Sequence, residues 1–130
     1  MVRCCMKPET VEWVDKADAD LATAKREAAV VESPNYDAVC FHAQQCAEKY
    51  LKAVMVEDGV RIPRIHDLEA LLNMLDSQHP ELQKVIHSAR ILSAMAVEVR
   101  YPGMMADEDD AAESVRAAVV ICEAVRDSLK

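Results

Sequence analysis

The chain has 130 residues, of which 52% are hydrophobic and 4% aromatic, with two glycines and five prolines. That is one domain's length with enough apolar mass for a core, and too few turn formers for a β-sandwich or barrel. The net charge of −8 excludes broad, non-specific attraction to nucleic acid, although Arg61, Arg64 and His66 form one local basic stretch.

No run is long and apolar enough for a membrane span or a secretory segment. The five cysteines include no Cys-x-x-Cys. Cys40, Cys46 and Cys122 fall within apolar helical patterns, and Cys4 and Cys5 are adjacent. Reduced thiols in a cytoplasmic protein are the simplest reading.

Residues 1–9 lack periodicity and read as a loose leader to a single domain over residues 10–130. Thr10 is a candidate N-cap. Val14, Ala17, Leu21, Ala24, Ala28 and Val31 then draw one apolar stripe along a helix over residues 11–32. Asp15, Lys16, Asp18, Asp20, Lys25 and Arg26 fall off the stripe and read as a solvated face. Ser33-Pro34-Asn35 breaks the helix, and Asn35 can cap the next. So short a loop predicts an antiparallel hairpin.

The second helix, residues 36–55, has no Gly or Pro. One arc is Val39, Ala43, Cys46, Ala47, Tyr50, Leu51 and Val54. The opposite arc mixes Phe41 and Met55 with Gln44, Gln45, Glu48, Lys49 and Lys52. A solvated face would be uniformly polar, so the mixed arc is expected to meet a second subunit or a ligand. Gly59 suits the left-handed position after this helix.

Asp67 caps a short third helix with Leu68, Leu71, Leu72 and Leu75 on its buried edge. A fourth helix starts at Glu81, with Leu82, Val85, Ile86, Ala89, Leu92, Ala96 and Val99 in line. Tyr101-Pro102-Gly103 stops it. The acidic run Asp107 to Asp110 complements a helix dipole. A fifth helix then carries Ala111, Val115, Ala118, Cys122, Val125 and Leu129. The fold class is all-α, a bundle of four to five helices.

Little here carries chemistry by motif alone. The histidines His42, His66, His79 and His87 offer no i, i+4 pair with a third ligand, so neither a metal nor a cofactor is implied. Gln44, Glu48 and Lys52 form an i, i+4, i+8 row, with Glu48 and Lys52 in the favourable order for an ion pair. The row fits a structural role, a polar interface, or a hold on a base or phosphate. Arg61 and His66 fit charge stabilisation and acid–base work in a ribonuclease, whereas capping or packing at the third helix also accounts for His66. Arg100 and Tyr101 suit a helix terminus or a stacked base with its phosphate, with Arg90 and Lys52 within reach of the same region.

Together these residues resemble the HEPN family, the higher eukaryote and prokaryote nucleotide-binding domain. The matching pieces are Trp13 with Asp20 and Leu21, the run from Phe41 to Lys52, His66-Asp67-Leu68, and Arg100 to Gly103. The resemblance implies an up-and-down helical bundle, usually a homodimer, often paired with a minimal nucleotidyltransferase in a toxin–antitoxin-like system, and binding a nucleotide or RNA. Many members are metal-independent ribonucleases with R-x(4–6)-H on a late helix. No histidine follows Arg90 or Arg100 in this sequence. The expectation is therefore a non-catalytic nucleotide-binding or interaction module. Its ligand or interface residues would be Phe41, Gln44, Gln45, Glu48, Lys49, Lys52, Arg90, Arg100 and Tyr101. The alternative is an endoribonuclease toxin using Arg61 and His66.

Overall fold

Among the described residues five α-helices follow one another: α1 (Pro8–Ala28), α2 (Tyr36–Glu57), α3 (Leu68–Leu75), α4 (Ile86–Glu98) and α5 (Glu108–Ser128). A computed structural model describes residues 6–98 and 101–130. The all-helical bundle expected from the sequence is what forms. The cysteines Cys4 and Cys5, the expected stripe residue Val99 and the expected site residue Arg100 lie outside the described residues.

Helix α2 is the axis of the bundle. Thirteen of its 22 residues are buried, and it packs against each of the other four helices. Its expected apolar arc is entirely buried, and Tyr50, Leu51 and Val54 are fully so. The Asn35 side chain accepts from the Ala38 N–H at its start. At its end Gly59 adopts φ 73°, and the Gly59 and Val60 N–H groups donate to Val56 and Met55. Those two bonds make a Schellman stop, which requires a residue free of a Cβ penalty at positive φ.

Helix α1 sits differently from the sequence pattern. It starts at Pro8, not after Thr10, because proline's fixed φ and missing N–H suit the first helical position. Thr10 is not a cap but a fully buried tie, donating through Oγ1 to Glu57 at 2.8 Å. Met6 packs on the core, so the fold reaches into the expected leader. At the far end α1 stops at Ala28, and Val31 is 92% exposed, against its expected place on the stripe. The chain leaves the helix there to make the turn: Ser33 takes φ 52° and the Asn35 N–H donates to the Glu27 carboxylate.

Two acids of α1 are not a solvated face. Asp18 accepts from the buried Tyr50 hydroxyl and from Arg126 on α5 at 2.9 Å. Asp20 holds His42 at 2.8 Å and Lys49 at 2.5 Å, both on α2. The fourth helix begins as a 3-10 turn over Pro80–Val85 before α4 proper. Leu82 and Val85 still reach the core from it. Asp107 and Asp110 close a capping box at the start of α5. No described helix is long and apolar enough to cross a membrane.

Candidate functional site

A cleft of about 900 Å³ opens between the first half of α2, the entrance to α3 and the middle of α4. Phe41, Gln44 and Gln45 face it from α2, His66 and Asp67 from the α3 entrance, and Ser93 and Ala96 from α4. Ser93 and Ala96 lie three residues apart on one helical face, and their small side chains leave the space. That spacing is the sequence signal for the α4 wall, which residue chemistry alone did not single out. Asn35 and Asp37 complete one rim. Asp37 Oδ1 accepts from the Ala106 N–H at 2.8 Å, pinning the segment before α5 to the start of α2.

Beneath the cleft runs the polar row of α2. Gln44, Glu48 and Lys52 are 7%, 5% and 5% exposed. Lys52 Nζ lies 3.0 Å from Glu48 Oε2. Gln44 Nε2 donates to Glu48 Oε1 at 3.3 Å and to the His66 carbonyl at 3.2 Å, and accepts through Oε1 from Gln45 at 2.9 Å. His66 Nδ1 stands 3.1 Å from Glu48 Oε2. Buried charge is tolerated only when paired and hydrogen-bonded, and Glu48 has three donors on its two oxygens. No buried side-chain nitrogen or oxygen among the described residues lacks a partner.

The mixed arc of α2 was expected to meet a second subunit or a ligand. Most of it is instead covered by its own chain: Gln44, Glu48, Lys52 and Met55 are buried here. The reason is that the α3 entrance folds back over the row and supplies His66 as its partner. Phe41 does stand open, 53% exposed, with its ring edge-on to His42 at 5.2 Å.

Phe41, Gln44, Gln45 and His66 are thus brought together, with Glu48 and Lys52 as their support. The other expected residues go elsewhere. Lys49 is held by Asp20 on the α1 side. Arg90 makes two bonds to Glu69 at 3.1 and 3.0 Å, strapping α4 to α3. Its guanidinium holds the Glu69 carboxyl below the usual carboxylate range. Arg61 and Tyr101 are exposed and are not among the described lining residues. Burial pushes the thiols of Cys40, Cys46 and Cys122 up, so none is a ready nucleophile.

The family model for the HEPN domain matches residues 10–128. The chain is 27% identical over 135 residues to the protein named "Putative toxin MJ1304" of Methanocaldococcus jannaschii, covering 91% of this chain and 86% of that one. It is similar to the crystal structure of ST0689, an archaeal HEPN homologue, with 26% identity and a TM-score of 0.73 over 93% of this chain and 98% of that one. TT1696 from Thermus thermophilus shares the fold, with a TM-score of 0.80 at 23% identity over 93% and 98% of the two chains. The family match runs from the first turn of α1 to the last residue of α5, and the chain belongs to the HEPN domain family.

Proposed function

We propose that this protein is the helical half of a toxin–antitoxin-like pair, a non-catalytic module that binds a nucleotide and partners with a minimal nucleotidyltransferase. The carrying observation is the cleft, in which the open Phe41 ring stands beside the amides of Asn35, Gln44 and Gln45. A ring offers a base a face to stack on, and amides offer donors and acceptors for its edge. Asp37 and Asp67 each have one oxygen taken by a backbone N–H, leaving the second for ribose hydroxyls. Similarity to a protein named as a toxin supports the paired role. Exposed Phe41, Tyr101, Met104 and Met105 support a contact with a second copy or with the partner. The free, buried thiols support a cytoplasmic location.

Calorimetric titration with ATP, GTP and their monophosphates tests the ligand, with Phe41→Ala expected to abolish the heat. Light scattering tests the homodimer, and co-expression with a minimal nucleotidyltransferase tests the partner. No heat and no co-purified nucleotidyltransferase removes the reading.

One observation favours a second reading, a metal-independent endoribonuclease toxin: His66 lines the cleft with its ring held by Glu48. Arg61 is exposed and absent from the described lining, so this reading keeps His66 without that arginine. RNA left intact by the purified protein in chelator removes it.

A further inference from the structure

Gln44 uses both of its amide hydrogens inside the chain, on Glu48 and on the His66 carbonyl, and its oxygen takes one hydrogen of Gln45. Reading of a base therefore falls to Gln45, which keeps its second amide hydrogen and its carbonyl oxygen. Gln45 stands one turn beyond Phe41 on α2, so the two share a side of the helix. One donor beside one acceptor is the pair that meets N6 and N7 of adenine. The walls carry the opposite preference to a phosphate site. Asp37 and Asp67 both line the cleft, each with one carboxylate oxygen beyond the reach of its backbone N–H partner. Ribose hydroxyls can donate to such an oxygen, and ionised phosphate oxygens cannot. Lys52 is 5% exposed and lies 3.0 Å from Glu48, so its charge is answered within the chain. The net charge of −8 adds repulsion of the same sign at longer range.

We propose that the cleft is a nucleoside site: it holds the adenine and ribose of its ligand, and the 5′-phosphates of a nucleotide weaken binding. The proposal rests on the nucleotide-binding reading and narrows its ligand. The base stacks on Phe41, its N6 donates to Gln45 Oε1, and its N7 accepts from Gln45 Nε2. The ribose hydroxyls donate to Asp37 or Asp67. Each phosphate added at the 5′ position brings like charge towards these carboxylates, at a separation where water and salt screen it only in part. AMP is therefore tolerated and ATP is disfavoured, the reverse of what a cation-lined phosphate pocket does.

Calorimetric titration of the full chain with adenosine, AMP and ATP, at low and high salt and with and without magnesium, tests it. Adenosine should bind about tenfold more tightly than ATP at low salt, with AMP between them. Salt screens the repulsion, so ATP should tighten as salt rises while adenosine stays constant. Asp67→Asn keeps a capping side chain and should narrow the gap between ATP and adenosine. Gln45→Leu should weaken adenosine about tenfold. ATP that binds more tightly than adenosine in any of these buffers, or that weakens as salt rises, overturns the nucleoside site and leaves the nucleotide reading standing. An unchanged gap in Asp67→Asn, or unchanged adenosine binding in Gln45→Leu, does the same, as does heat with GTP alone. No heat with any of the three or with GTP removes both. The salt series needs no variant, so it decides if either substitution fails to fold.

Discussion

Thr10 Oγ1 donates to Glu57 Oε1 at 2.8 Å, and the Lys7 N–H donates to the same oxygen at 3.0 Å. The start of α1 is thereby fastened to the end of α2. The backbone N–H of Lys7, then the Thr10 hydroxyl, hold the Glu57 carboxyl below its usual range. A depressed folded value adds stability above the unfolded value and loses it as pH falls through the folded one. Glu57→Gln should cost about 1 kcal/mol at neutral pH. The gap from wild type should close on acidification below the ordinary glutamate range. Urea unfolding from pH 7 to pH 3 measures it, and a gap that stays constant contradicts the assignment.

Gly59 closes the same helix at φ 73°, with Lys7 Nζ 3.7 Å from where a Cβ would stand. There is room for a methyl group, so the cost of Gly59→Ala is conformational, about 1 kcal/mol. Gly59→Asn should cost less, since asparagine enters the left-handed region more readily. Thermal melts of the two variants should fall in that order.

Lys52→Met leaves Glu48 charged in the core with only Gln44 and His66 for partners. Breaking a buried pair on one side costs about 3–5 kcal/mol. Adding Glu48→Leu removes the orphaned charge and should restore a large part of that loss. A double-mutant cycle by chemical denaturation gives the coupling, expected above about 1 kcal/mol. Additive losses would mean that the two charges do not sense each other.

Tyr50 is fully buried and gives its hydroxyl to Asp18, while Arg126 lies over its ring with Cζ 5.7 Å from the centroid. Tyr50→Phe deprives a carboxylate of a donor and should cost about 1.5–3 kcal/mol. Arg126 is half exposed, so Arg126→Ala should cost less, about 1 kcal/mol or below. Neither touches the cleft, so nucleotide titrations should be unchanged in both.

The helices were legible because their apolar positions recur at helical spacing and their breaks carry Pro, Gly and Asn. The ends were less so. Thr10 looks like a cap in sequence, but Pro8 starts the helix and frees the hydroxyl for a tie 47 residues away. Val31 fits the stripe by spacing, yet the turn geometry around Ser33 takes the chain out of the helix first. In the site, the row of Gln44, Glu48 and Lys52 was visible, but what covers it was not. A one-dimensional pattern shows that a face is unusual without showing whether the same chain folds back onto it. Lys49 is the same case reversed: one residue beyond Glu48, it turns to Asp20 on α1.

One helix supplies both the hydrophobic centre, through Tyr50 and Leu51, and the floor of the cleft, through Gln44 and Gln45, with Glu48 bonded to Gln44 beneath. Recognition and thermal resistance therefore cannot be tuned separately along it. A selection for altered ligand preference on this floor should also yield variants with shifted melting temperatures. The rim positions, Phe41 above all, are where specificity can drift without endangering the scaffold.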